Sequence, residues 1–525
     1  MNALDWQLPY SSQRKPVLAA NVVATSQPLA AQAGLEMLRK GGNAIDAAVA
    51  SAITLTVVEP TMNGIGGDAF ALVWDGEKVH GLNASGRAPA AWHPQRFAGR
   101  EAMPKLGWDA VTVPGQVAGW AALSKRFGKL PFRDLFVPAI NYARSGFPVS
   151  PTVARQWEND AAHFSSSEGF AEAFMPNGRA PRAGEWFSCA DQASSLELIA
   201  ATDGDAFYRG QLAEKMVKHC RAHGGAMTMN DLEAHSADWV EPISHCYRDY
   251  VLHEIPPNSQ GLAVHIALGI LEHREIRALA PDSVDSLHLQ MEALKLAFAE
   301  IYQHVGDPAA MRIAPARLLQ PEHLVRLARK IDMRHAQFPR YEELPKGDTV
   351  YLCTADAAGM MVSYIQSNYF ASGIVVPGTG ISMQGRGAAF TLQEGHVNQV
   401  GGGKRPFHTI IPGFLTQDGK PLMTFGIVGT TLQPQGQTQL IVRMMDHGLN
   451  PQAACDAPRF RLTEGPTVLM ERGFDASLLE QLAHRGHKPL YGDTLDFGCA
   501  QLLHRLDRGY FAASDSRRDG QAVGF

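Results

Sequence analysis

The residue whose type and placement best suit chemistry is a threonine at the head of a short strand. Residues 346–370 read KGDTVYLCTADAAGMMVSYIQSNYF, and Thr349 follows Gly347-Asp348 to open an alternating run to Ala355. The run breaks at Asp356-Ala357-Ala358-Gly359 and resumes at Met360, the pattern of a β-hairpin around a glycine-containing turn. A threonine hydroxyl holds its proton too tightly to attack an amide near neutral pH. A chain-terminal amine, with a pKa of roughly 7.7–8.0, is a base that can take that proton. Cutting the Asp348–Thr349 bond would place hydroxyl and amine on one residue. The hydroxyl can make that cut by attacking the preceding carbonyl, with water resolving the ester. Threonines also begin many ordinary strands, so spacing alone leaves a structural reading open.

Other motifs with chemical potential fail on context. GIGGDA (64–69) resembles a dinucleotide loop, but such a loop follows a strand and opens a helix. Here a helical pattern precedes the glycines and a strand follows. HCRAH (219–223) sets two histidines four apart without the glutamate of a zinc protease or a third ligand, and reads as helix surface. GGGKRP (401–406) lacks phosphate-loop spacing, and the chain has no GxSxG elbow. No cofactor, metal or nucleic-acid partner is implied.

The elements that must position Thr349 are legible in part. PLAAQAGLEMLRK reads as a helix from Pro28 that stops at Gly41-Gly42, and Asn43 is placed to cap AIDAAVASAITLTVVE. That second helix is apolar on most sides, which predicts burial between layers, and its apolar stretch is too short to span a bilayer. FALVWD reads as a strand and residues 283–308 as a helix. After Thr349 the chain turns strand-rich, until helices return near 435–447 and 475–486. HAQFPRYEELPKGD (335–348) is polar with two prolines, and predicts an exposed, flexible segment ending at the proposed cut.

At 525 residues the length suggests about three or four domains or one large layered fold. Hydrophobic residues at 45%, charged residues at 19% and a net charge of −5 are ordinary for a globular protein and give no basic face for nucleic acid or membrane. Six scattered cysteines without a CxxC pair, and an N-terminus without an apolar leader, lead to the expectation of a cytoplasmic protein.

Several segments resemble the γ-glutamyltransferase family of N-terminal-nucleophile hydrolases, in the family's order. They are LRKGGNAIDAAVA (38–50), GIGGDAF (64–70), RAPA (87–90), VPGQVAGW (113–120), PPNSQG (256–261), EALKLAFAE…GDP (292–308), GDTV (347–350), KRPFHTIIP (404–412), APRF (457–460) and SDSRRDG (514–520). The resemblance implies an α+β fold, a four-layer αββα sandwich with two central antiparallel sheets flanked by helices. It also implies self-cleavage between Asp348 and Thr349, giving a heterodimer of interleaved chains 1–348 and 349–525. Carried over position by position, it makes Thr349 the nucleophile and Ser367 the hydroxyl that supports it. It makes Arg87 the partner of the substrate carboxylate, and the N–H groups of Gly429 and Thr430 the oxyanion hole. Asn368, Arg386, His408 and Thr409 fall at substrate-binding positions.

The departures from the family bear on the substrate. Where transpeptidases carry an acidic pair that grips an α-ammonium, this chain reads SMQGRGAAF (382–390), with Ala388-Ala389 in place of the acids. Arg386 replaces a neutral amide, and His408-Thr409 replace two serines. A pocket that keeps a carboxylate clamp, loses its ammonium anchor and gains a cation suits a small anionic amide. Among activities associated with this branch, oxamate hydrolysis to oxalate and ammonia, a late step in purine-nitrogen breakdown, fits that pattern. A γ-glutamyl hydrolase or transpeptidase, and an unprocessed binding protein, are the other readings.

Overall fold

Helix-capping signals set the first layer. Gln27 accepts the N–H groups of Leu29 and Ala30 at the start of helix Pro28–Arg39, and Asn43 closes a capping box with Asp46 at the start of helix Ala44–Val58. Every residue of the second helix is buried, as an all-round apolar sequence requires. The computed structural model describes residue 6 and residues 13–339, 347–369 and 371–525. Residues 1–5 and 7–12, and residues 340–346 of the segment expected to be exposed, lie outside the described residues.

Two seven-stranded sheets form the centre. One runs in the order Val17–Ala19, Tyr510–Ser514, Ala500–Arg505, Lys420–Ile427, Gly413–Gln417, Tyr250–Glu254, Ile243–Tyr247. The other runs Gln521–Gly524, Val22–Thr25, Asp348–Ala355, Met361–Tyr369, Asp68–Trp74, Val79–Ala84, Asp238–Val240. Neighbouring strands in both sheets are antiparallel. Side chains alternate between the faces of a strand, and the strand of Thr349 uses both. Val350 and Leu352 pack toward Ala44–Val58 and its neighbouring helices, whereas Tyr351, Cys353 and Ala355 join Phe414, Leu503 and Ala512 between the sheets. Helices Leu262–Glu272, Val284–His304 and Leu432–Ile441 cover the outer face of the first sheet. The layers are helix, sheet, sheet, helix, as the family resemblance implied.

The hairpin forms as expected, with a shift of one residue. Its first strand begins at Asp348 rather than Thr349, because pairing with Tyr369 continues through the proposed cut. The strand read as FALVWD begins at Asp68, which pairs with Ser367. The order helix, glycines, strand holds around GIGGDAF, which removes the dinucleotide-loop geometry.

Three family motifs are structural staples. Ala44 N–H donates to Asp356 Oδ2 at 2.9 Å, and Thr354 Oγ1 donates to the Ala44 carbonyl at 2.6 Å, fixing LRKGGNAIDAAVA to the turn end of the Thr349 hairpin. APRF and SDSRRDG meet in the interior. Arg459 Nη2 donates to Asp515 Oδ2 at 2.7 Å, and Arg517 pairs with Asp515 Oδ1 at 3.0 Å and with Glu471 at 2.6 Å. Burial pushes Asp515 up, yet Arg517 and Arg459 outweigh it and hold the carboxyl at about 2. Five of the six cysteines are buried, Cys246 is exposed, and all six are free. Among the described residues, no helix is long and apolar enough to cross a membrane.

Candidate active site

A β-bulge lies at Thr349. Asp348 pairs with Tyr369 and Val350 with Gln366, so Ser367 and Asn368 stand opposite Thr349 alone. A bulge bends its strand and re-aims a side chain. Here it brings Ser367 Oγ to 3.2 Å from the Thr349 hydroxyl, which donates to it. Ser367 Oγ also accepts the Tyr369 N–H at 2.6 Å, and Tyr369 carries φ +61°, an outlier for a bulky residue. Thr349 is 2% exposed, enclosed while the chain is intact.

Gly429 and Thr430, expected to form an oxyanion hole, lie at the other sheet, between the end of strand Lys420–Ile427 and the start of helix Leu432–Ile441. Gly429 has φ +124° and Thr430 φ +54°. Among the described residues, neither N–H has a protein acceptor. The loop is pinned by Gln260 Nε2, which donates to the Thr430 carbonyl at 2.8 Å and also to the Thr409 carbonyl. Thr430 Oγ1 accepts the Gly347 N–H at 2.7 Å and donates to the Gly347 carbonyl at 2.9 Å. Thr349, the peptide before it and the Gly429-Thr430 loop therefore occupy one place.

Arg386 lies one hydrogen bond beyond this centre. Its guanidinium is 0% exposed, stacks 4.7 Å over the Tyr369 ring, and donates through Nη1 to Thr409 Oγ1 at 2.9 Å. Its Nε and Nη2 atoms are buried with no partner among the described residues. Burial lowers its pKa to about 10, against the opposing charge of Asp68, so it stays protonated at neutral pH. Asn368 donates to Ser382 Oγ at 2.9 Å while, among the described residues, its Oδ1 is buried without a partner, as is the Tyr369 hydroxyl. Gly67 explains part of the GIGGDAF motif: a Cβ there would lie 2.9 Å from Asn368 Oδ1 and 2.8 Å from Gln116 Oε1.

His408 is fully buried against the Phe70 ring, and burial, then Arg386 and Arg405, drive its pKa well below the usual range. The Ile410 N–H donates to Nδ1 at 3.4 Å, so the proton of the neutral ring sits on Nε2, 3.2 Å from Asp68 Oδ2. Asp68 also accepts the N–H groups of Gly115 at 2.9 Å and Gly86 at 3.2 Å, and burial lifts its pKa to about 6 despite the charge of Arg386. Arg87 follows Gly86 but turns outward. Its side chain is 48% exposed, lies 3.5 Å from Asp307 and 4.0 Å from Asp238, and donates to the Gly403 carbonyl at 3.1 Å. The structure thus joins Thr349, Ser367, Asn368, Thr430, Thr409, Arg386 and His408 through shared contacts, and leaves the Arg87 guanidinium in a looser cluster.

Asp68, Gln260 and Tyr369 belong to this network and were not singled out from sequence. Asp68 and Gln260 stand inside quoted motifs, but their partners lie in distant segments. As for metal ligation, His219 accepts a hydrogen bond from Trp108 at 3.0 Å, in keeping with a structural HCRAH. His288, Glu292 and His487 come within ligand distance of one another. His288 meets His487 at 2.8 Å, and Lys295 Nζ donates to Glu292 at 2.5 Å.

Two antiparallel sheets between helix layers, with a strand-borne threonine beside the Gly429-Thr430 loop, are the architecture of an N-terminal-nucleophile hydrolase. Residues 30–525 match the gamma-glutamyltranspeptidase family, and the chain belongs to it. It is 38% identical to the glutathione hydrolase-like YwrD proenzyme of Bacillus subtilis (strain 168), over 96% of this chain and 98% of that one. It is 34% identical to the oxamate amidohydrolase proenzyme of Klebsiella pneumoniae, over 95% and 97%. Its structure superposes on the cephalosporin acylase from Bacillus halodurans with a TM-score of 0.95 and 45% identity, over 100% and 99% of the chains. The protein is an enzyme of this hydrolase family, acting on amide bonds.

Proposed function

We propose that the chain cuts itself before Thr349 and then hydrolyses a small acid amide, with oxamate as the candidate substrate. The observation that carries the substrate reading is Arg386, a buried guanidinium with two nitrogens unpartnered among the described residues, beside the nucleophile's strand pair. A carboxylate can take both donors at once. Arg87, weakly held and half exposed, supplies an outer contact. In turnover the Thr349 amine takes the hydroxyl proton as Oγ attacks the amide carbon. The Gly429 and Thr430 N–H groups meet the oxyanion, a contact realised only as charge develops. The amine then passes its proton to the leaving nitrogen, which departs as ammonia, and water hydrolyses the ester to oxalate.

Cleavage of a γ-glutamyl amide is the second reading, favoured by the similarity to the glutathione hydrolase-like YwrD proenzyme. Its α-ammonium would need a carboxylate partner, and desolvating it alone costs several kcal/mol. Ala388-Ala389 offer none, and Asp68 is committed to Gly86, Gly115 and His408. The test compares ammonia release from oxamate with hydrolysis of a γ-glutamyl anilide on the same cleaved enzyme. Oxamate should lead by at least about a hundredfold in kcat/KM, roughly 2.7 kcal/mol. Faster γ-glutamyl turnover, with or without a dipeptide acceptor, would overturn the small-acid reading.

A further inference from the structure

Thr430 makes contacts that an oxyanion-hole residue does not need. A backbone N–H at this position could come from any residue, and at φ +54° glycine is the unstrained choice. A β-branched residue there is a steric outlier, and such strain persists at places where it serves a function. What threonine adds is its hydroxyl. That hydroxyl binds both polar groups of Gly347, accepting from its N–H at 2.7 Å and donating to its carbonyl at 2.9 Å.

The opposite side of Gly347 is equally closed. A Cβ there would lie 2.7 Å from the Tyr369 carbonyl oxygen and 2.8 Å from its ring, so Gly347 is wedged between Tyr369 and Thr430. Tyr369 in turn donates its N–H to the Ser367 oxygen that receives the Thr349 hydroxyl. The residue before Asp348 and the nucleophile after it are thus tied to one rigid frame, with the bulge between them.

We propose that the Thr430 hydroxyl is a positioning group for self-cleavage, holding Gly347 so that the Asp348 carbonyl carbon stays within reach of Thr349 Oγ. This rests on the reading of Thr349 as the residue that cuts the chain. In the step so positioned, the bond from Thr349 Oγ to the Asp348 carbonyl carbon forms and the bond from that carbon to the Thr349 nitrogen breaks. The hydroxyl proton moves to the freed amine. Water then splits the ester into the Asp348 carboxylate and the Thr349 hydroxyl, and no other reagent is consumed.

The test follows newly made full-length chain on denaturing gels over time, for wild type and for Thr430→Val, Thr430→Gly and Thr430→Ser. Val and Gly should lengthen the cleavage half-time at least about tenfold, and Ser, which keeps the hydroxyl, should stay within about threefold of wild type. The glycine variant separates hydroxyl from backbone. If positive φ were what mattered, it would cut at least as fast as wild type, and that result would overturn the proposal. It also carries the test if Thr430→Val fails to fold, as judged by its melting curve. A serine variant as slow as the glycine variant would overturn it too. An uncut wild type would instead remove the Thr349 reading, and this inference with it.

Discussion

At the scale of single residues, two arginines are proposed to meet the substrate carboxylate, and their settings differ. Arg386 is enclosed and lacks partners on two donors, whereas Arg87 spends its charge on Asp307 and the Gly403 carbonyl at the surface. Removing one partner of an enclosed charge pair costs on the order of 2–5 kcal/mol. Arg386→Gln should therefore raise KM for oxamate at least about a hundredfold, and Arg87→Ala by about tenfold, both in chains that still cut themselves. A larger effect from Arg87→Ala would give the inner position to Arg87. The sequence made Arg386 visible as a cation out of place. It concealed Asp68, whose side chain works through Gly86, Gly115 and His408, residues that only the fold brings together.

At the scale of elements, caps were readable because their chemistry is local. Asn43 accepts from the N–H groups of Ile45 and Asp46 at 3.1 Å, and its amide donates to the Phe127 carbonyl at 2.6 Å. Asn43→Ala should lower stability by about 1 kcal/mol, the usual worth of such a cap, measured by denaturant unfolding of the cleaved enzyme. An unchanged midpoint would show that the motif LRKGGNAIDAAVA is held by its tertiary contacts alone. The Thr349 strand was readable as a hairpin arm, but its bulge was not. A bulge depends on the register with a partner strand, and the alternation from Thr349 to Ala355 carries no mark of it.

At the scale of the whole molecule, the order of strands was beyond local pattern. Thr349 stands near the head of a strand between Val22–Thr25 and Met361–Tyr369, so the proposed cleavage before it would leave the smaller fragment hydrogen-bonded inside a sheet built partly from the larger one. The buried ion pairs around Asp515 add a pH dependence. A carboxyl held at about 2 in the fold but near 3.8 when unfolded contributes its stability above pH 4, and loses it as pH falls toward 2. That contribution is about 2 kcal/mol. Melting temperature should thus fall more steeply between pH 4 and 2 for wild type than for Asp515→Asn, which starts lower. Parallel curves would mean that Asp515 gains nothing from Arg459 and Arg517.

The central claim is that Thr349 is both the agent of self-cleavage and the catalytic nucleophile. It is tested most directly by N-terminal sequencing of the fragments of the purified 56.9 kDa chain, alongside an amide-hydrolysis assay. The smaller fragment should begin Thr-Val-Tyr-Leu, and a Thr349→Ala chain should stay whole and inactive. A wild-type chain that remains uncut yet turns over an amide, or a Thr349→Ala chain that does so, would contradict it.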